Sequence, residues 1–237
     1  MTVALTVWAN DLRNIVRDRT VGVLLLVPFI LVAVLRFGLP LLEQRWTALD
    51  GHDQLVLGLF CIVVGLFPAF MASFIMLDER DQGLYPVFRI LPVGFGALVR
   101  YRLAAVTVLG VVGSLVLLVG AGIGEYSVFG TAVLAAVCAA GGPAAMFVAV
   151  SLSGNKIECL TVFKVLFVLS ALGITGALGE LHGWNAAWAV LPTYWVFRAF
   201  GAAAGATTSI AANAAVAMVV YLCIAVIAYR RLRRLLT

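Results

Sequence analysis

The 237-residue sequence predicts an all-α integral membrane protein with six transmembrane helices. Three observations predict it. Apolar residues make up 64% of the chain, against about 45–50% in a soluble domain. Charged residues make up 11%, less than half of the usual share of about 25%. The apolar residues also fall in long unbroken runs, which suit helices, whereas a membrane barrel shows short alternating segments. In lipid every backbone polar group needs an internal partner, and a helix supplies one within its own segment.

Residues 3–19 place Leu5, Trp8, Leu12, Ile15 and Val16 on one helical face and Asn10, Arg13, Asn14 and Arg17 on the other. This pattern predicts an interfacial amphipathic helix within 1–20, with Arg13 and Arg17 toward headgroups and Trp8 at the boundary. The first span then covers Val21 to Leu42 and contains Pro28 and Arg36. It is too long for the core of a cleavable signal. Arg36 lies toward the outer end, where it either snorkels to the headgroups or faces a central pathway.

The second span runs from Leu55 to Leu77 without a charge, and a mixed segment, Asp78 to Arg102, follows it. The third is Leu103 to Gly124, closed by a short turn at Glu125-Tyr126, and the fourth is Val128 to Val150. A loop, Ser151 to Glu158, leads to the fifth, Cys159 to Gly179, with Lys164 near its first end. Residues 180–210 form a longer connection rich in aromatic residues, among them Trp184, Trp188, Tyr194 and Trp195. The sixth span, Ile210 to Tyr229, closes with Arg230, Arg231, Arg233 and Arg234.

The cations set the orientation. With the N-terminus inside, all lysines and arginines except Arg36, Arg45 and Arg198 fall on the cytoplasmic side. Both termini are therefore expected in the cytoplasm, the membrane being the bacterial inner one. The net charge of +5 follows from this topology and calls for no nucleic-acid partner. No linker or internal repeat divides the chain, so one membrane domain is expected.

Residues suited to catalysis are scarce. The four cysteines, Cys61, Cys138, Cys159 and Cys223, stand singly in apolar runs and read as small core residues. The two histidines, His52 and His182, sit in polar loops. There is no His-Glu-x-x-His, no Gly-x-Ser-x-Gly and no pair of carboxylates within a span. All 11 acidic residues lie in loops or at span ends, which gives little support to an ion-coupled carrier. The phosphate-binding loop of ATPases is absent too, so an ATP-driven mechanism needs a separate subunit.

The most informative stretch is Asp78-Glu79-Arg80-Asp81-Gln82-Gly83, followed by the apolar segment Leu84 to Leu91 and then Pro92-Val93. Its physical reading is a charged helix end, a glycine break, a short surface helix and a proline stop. Taken alone, the same residues read equally well as a solvated loop whose charges enforce topology. The stretch resembles the ABC-2 family of ATP-binding-cassette permeases, in which such a run precedes a short coupling helix and Pro-Val. The helix before the first span is similar to the family's connecting helix, including Asp11-Leu12-Arg13 and Arg17-Asp18. Leu191-Pro192-Thr193-Tyr194-Trp195 looks like the family's proline–tyrosine segment before the last span. One departure is Pro86, where the family often carries an acidic residue.

The resemblance implies a cytoplasmic coupling segment over 78–102, with Asp78, Glu79, Arg80, Asp81, Gly83, Phe88, Arg89 and Pro92 facing an ATPase. It implies an interfacial helix marked by Trp8, Leu12, Arg13 and Arg17. It further implies an outer re-entrant segment over 180–210 with Pro192, Tyr194, Trp195 and Arg198. The chain itself would be non-catalytic and bind no cofactor, with ATP and Mg held by separate ABC ATPase subunits. Its other partners would be a second permease, identical or sibling, membrane lipid and a hydrophobic small molecule. The likeness is nearest to bacterial drug-export permeases of the fluoroquinolone-export-like kind.

Overall fold

The computed structural model describes residues 19–46, 51–85, 94–178, 183–202 and 207–236. Trp8, Leu12, Arg13 and Arg17 of the expected interfacial helix lie outside them, as do Pro86, Phe88, Arg89 and Pro92. Every element among the described residues is helical. Among the described residues six helices are long and apolar enough to cross a membrane, so the chain is a multi-pass membrane protein.

The first span is composite. Helix α1 (Arg19–Ala33) passes through a π-helical turn, Val34–Gly38, into α2 (Leu39–Glu43). Pro40 explains the turn: it cannot donate to the Arg36 carbonyl, and its ring crowds that oxygen. The backbone widens by one residue, so that the Leu39 amide bonds to the Val34 carbonyl. Arg36 sits on this turn and is exposed. The remaining spans are α3 (Asp53–Asp81), α4 (Gly94–Gly120), α5 (Val128–Leu152), α6 (Lys156–Leu178) and α8 (Thr207–Leu236). Between the last two lie a 3-10 helix, Gly183–Val190, and the nine-residue α7 (Pro192–Phe200).

Several boundaries differ from expectation, for one reason. Charges at a bilayer edge do not end a helix, because the backbone bonds continue into the headgroup region. Helix α4 therefore starts at Gly94, and its first turns take in Arg100 and Arg102 from the expected coupling segment. Helix α8 continues to Leu236 through the terminal arginines, whose charge complements the helix C-terminus. The α5–α6 connection shrinks to Ser153, Gly154 and Asn155. Asn155 Oδ1 accepts from the Glu158 amide at 2.9 Å, and Glu158 Oε2 accepts from the Gly154 amide at 2.6 Å. This reciprocal cap lets so short a turn start α6.

Helix α5 is the centre of the bundle and packs against α3, α4 and α8. Its sequence is rich in alanine and glycine, which lets neighbouring backbones approach closely. A Cβ at Gly65 of α3 would lie 2.4 Å from the Cys138 carbonyl oxygen. A Cβ at Gly142 of α5 would lie 2.8 Å from the Gly65 carbonyl oxygen. The α3–α5 contact is thus backbone on backbone. Helix α1 is peripheral, and Leu26, Phe29, Ile30 and Phe37 point out of the bundle. Cys61, Cys138 and Cys159 are buried as expected, whereas Cys223 is exposed on α8.

Two ends of the bundle follow from the contacts. Lys156 and Asp78 meet at one. His52, Leu178, Gly201 and Ser209 line one cleft at the other. The chain leaves α6 and enters α8 at the His52 end, so the segment between them does not cross the membrane.

Candidate functional site

At the Lys156 end, the charged run after the second span is folded into the bundle. Asp78 Oδ1 accepts from Lys156 Nζ at 2.7 Å, with both side chains about half exposed. Glu79 is ion-paired to Arg102 near the start of α4, and those side chains are only 16% and 11% exposed. The Arg80 guanidinium donates to the Ser153 carbonyl at 2.9 Å and also to that of Gly154. One run of three residues therefore ties the end of α3 to the start of α4 and to the α5–α6 turn.

The adjacent chain closes on the same place. Gly83 takes φ 68°, a left-handed conformation that suits glycine, and turns the chain back. Tyr85 Oη then donates to the Met76 carbonyl at 2.6 Å. Burial, reinforced by the nearby Glu79 charge, pushes the Tyr85 phenol up to about 12. Asp81, Gln82 and Gly83 remain exposed. Of the coupling residues expected from the sequence, Asp78, Glu79 and Arg80 are thus engaged within the chain, and Asp81 and Gly83 face outward. Phe88, Arg89 and Pro92 lie outside the described residues.

At the His52 end, the 3-10 helix and α7 form a hairpin inserted among the spans. Trp195 Nε1 donates to the Ala189 carbonyl at 2.9 Å, joining the two arms. Pro192 starts α7, where its missing amide costs nothing. Tyr194, Phe197 and Phe200 are fully buried. Glycines make room for them: a Cβ at Gly176 would lie 2.8 Å from the Tyr194 ring, and one at Gly58 3.0 Å from the Phe200 ring. A nine-residue helix is about 13 Å long, too short to cross a hydrocarbon core of about 30 Å. The hairpin thus enters the bundle without crossing it, with Trp195 half-buried beside Tyr194.

Arg198 donates to Tyr194 Oη at 3.0 Å. Its side chain also lines the cleft of about 610 Å³ that Gln54, Ser209 and Asn213 share. Tyr126, from the turn between α4 and α5, donates to the Phe200 carbonyl at 2.9 Å. That oxygen is one of the last carbonyls of α7, which the helix itself leaves without a partner. Burial also holds the Tyr126 phenol above its ordinary range.

A model of the family described as fluoroquinolones export permease protein Rv2686c-like matches residues 11–229. The chain belongs to this family. Two relatives from Mycobacterium tuberculosis are each 26% identical over 199 residues, covering 81% of this chain and 79% of the relative. They are the fluoroquinolones export permease protein MT2760 of strain CDC 1551 / Oshkosh and Rv2686c of strain H37Rv. No solved structure matches the chain. The Rv2686c-like match spans both the charged clamp and the hairpin, and the family fits the ABC-2 drug-export kind of permease.

The family match makes this Rv2686c-like chain a transport subunit, and the arrangement suits that role. Among the described residues no cluster of His, Cys, Asp and Glu could hold a metal ion. It offers instead apolar grooves, such as the one of about 280 Å³ between α1, α3 and α4 beside Pro28 and Pro68. Sequence reasoning did not find Arg102, Lys156 or Tyr85 as partners of the charged run. The available signal was charge balance, since Asp78 and Glu79 each have a basic residue, Lys156 and Arg102, near a neighbouring span end.

Proposed function

We propose that the chain is the permease subunit of an ATP-driven exporter of hydrophobic, drug-like compounds. The observation that carries the proposal is the family match over residues 11–229. The substrate class follows from the relatives, which are named for fluoroquinolone export. Six apolar spans and few charges within them support a path for a largely uncharged molecule. A separate ABC ATPase would bind ATP and Mg, because the sequence has no phosphate-binding loop of its own. A second permease, identical or sibling, would complete the path, with substrate held between facing subunits.

In this reading the segment over 78–102 couples the ATPase to the spans. Asp78, Glu79 and Arg80 join three inner helix ends, so a push on the chain after Gly83 reaches α3, α4 and α6 together. Asp81 and the residues beyond it provide the partner's contact. The clustering of lysine and arginine at the Lys156 end supports a reading in which that end, and both termini, lie on the cytoplasmic side of a bacterial inner membrane. Residues 1–20 would lie along that face, and Arg198 and the hairpin would stand at the outer exit.

The test is transport of a fluoroquinolone into inside-out vesicles containing the chain together with an ABC ATPase that co-purifies with it. Uptake that depends on ATP and on both proteins is the expected result. Uptake by the chain alone without nucleotide would show a secondary carrier or channel and sink the ATP-driven reading.

A further inference from the structure

Arg198 is the only charged residue of the 183–200 hairpin, and it pairs with no acid among the described residues. Its guanidinium donates to Tyr194 Oη at 3.0 Å and lies 5.8 Å from the centre of the same ring. At that distance a cation is drawn to an aromatic face. Tyr194 is fully buried, so both contacts hold the guanidinium against a ring that packing keeps in place. A guanidinium carries more N–H groups than one such bond uses. The nitrogens left over meet no protein acceptor and are accessible to solvent.

Arg198 lines the cleft of about 610 Å³ at the His52 end, whose surface is mostly polar. Gln54 shares the cleft, and its side-chain amide also has no partner among the described residues. Asn213 is already committed, donating to the Ser209 carbonyl at 2.8 Å. No acidic residue among the described ones lines the cleft. Leu55, Leu178 and Phe197 supply apolar surface beside these groups. A half-buried, pre-oriented guanidinium without a counter-charge is therefore set next to an apolar wall.

We propose that this cleft binds an aromatic carboxylic acid, with Arg198 gripping the carboxylate and Leu55, Leu178 and Phe197 covering the ring system. A planar guanidinium meets a carboxylate as a fork meets a fork, and such charge-assisted bonds are stronger than neutral ones. The cleft has the size of small-molecule sites, which run from about 300 to 1,000 Å³. A lipid headgroup phosphate shares the charge chemistry. Its acyl chains run back toward the bilayer core, however, and leave the apolar wall against water, whereas a ring bearing a carboxylate satisfies both. Fluoroquinolones are acids of this kind. The inference rests on the export reading and deepens it, since in that reading the cleft is a binding point at the outer exit.

The test uses the full chain in detergent, with norfloxacin and its ethyl ester as fluorescent ligands that differ only at the carboxylate. The acid is expected to bind the unsubstituted chain about tenfold more tightly than the ester. Arg198→Gln should remove that difference by weakening the acid alone. Arg198→Lys keeps the charge but loses the fork, and should retain part of the preference. Equal binding of acid and ester by the unsubstituted chain overturns the site without recourse to any variant. Equal weakening of both ligands by Arg198→Gln also overturns it, because that result reports a disturbed hairpin and not a lost carboxylate contact. Displacement of norfloxacin by dihexanoylphosphatidylglycerol at equal or lower concentration assigns the guanidinium to lipid phosphate and overturns the proposal. None of these results bears on ATP-dependent uptake in vesicles, by which the export reading stands or falls separately.

Discussion

Glu79, near the end of α3, is ion-paired with Arg102 near the start of α4, and the two side chains are only 16% and 11% exposed. A pair so nearly buried matters less for its net attraction than for the cost of leaving one member alone. Glu79→Gln or Arg102→Gln is expected to destabilise the protein by about 1–3 kcal/mol. The double variant should recover more than half of that loss. Thermal unfolding in detergent measures both, and a double variant no better than the worse single one would exclude the pairing.

Asp78 and Lys156 form the contrasting case. Their side chains are about half exposed, so solvent screens the pair. Asp78→Asn is expected to change stability by less than about 1 kcal/mol, with a difference that shrinks further in high salt. The same unfolding assay at low and high ionic strength checks it.

Gly65 lies against the Cys138 backbone, where an added Cβ would sit 2.4 Å from a carbonyl oxygen. Gly65→Val should therefore prevent close docking of α3 on α5 and abolish a monodisperse folded fraction. Gly83→Ala meets no neighbour within 4 Å but has φ +68°, so strain alone is expected, at about 1–2 kcal/mol. Size-exclusion chromatography and unfolding temperature separate a packing failure from a backbone one.

Tyr126 caps the Phe200 carbonyl. Tyr126→Phe leaves that oxygen without its donor and is expected to cost about 1–3 kcal/mol. The loss should appear first as local opening of α7, read as faster amide exchange over residues 194–201 than over α5. Equal protection in the variant would show that another donor reaches the carbonyl.

Tyr85 makes stability depend on pH in a calculable direction. Its phenol has an ordinary value of 10.0 and is raised in the folded chain to about 12. Above pH 10 the unfolded chain loses this proton before the folded chain does. The contribution is complete below pH 10 and is lost as pH rises through about 12. Tyr85→Phe should be less stable at neutral pH, for want of the Met76 bond, and should lack this alkaline decline. Unfolding temperature followed from pH 8 to 12 makes the comparison.

Much of the site was legible in the charged run itself. Asp78-Glu79-Arg80 at a span end marked a junction, and Pro192-Thr193-Tyr194-Trp195 marked a structured segment before the last span. The partners were not legible. Arg102 reads as one cation of a polar segment until α4 is seen to begin at Gly94 and to bring it beside Glu79. Tyr126 reads as a turn residue until α7 folds inward and presents the Phe200 carbonyl.

By itself, the sequence determined that this chain is helical and crosses the membrane six times. Both properties come from transfer to lipid and from backbone bonding within a segment, which act on neighbouring residues and are written locally. Only the tertiary structure decided that the charged run clamps three helices and that residues 183–200 insert as a hairpin. Those outcomes depend on how far each helix turns and slides against its neighbours. The glycines at Gly65, Gly142 and Gly176 fix that fit by excluding a single atom at each contact, between residues distant along the chain.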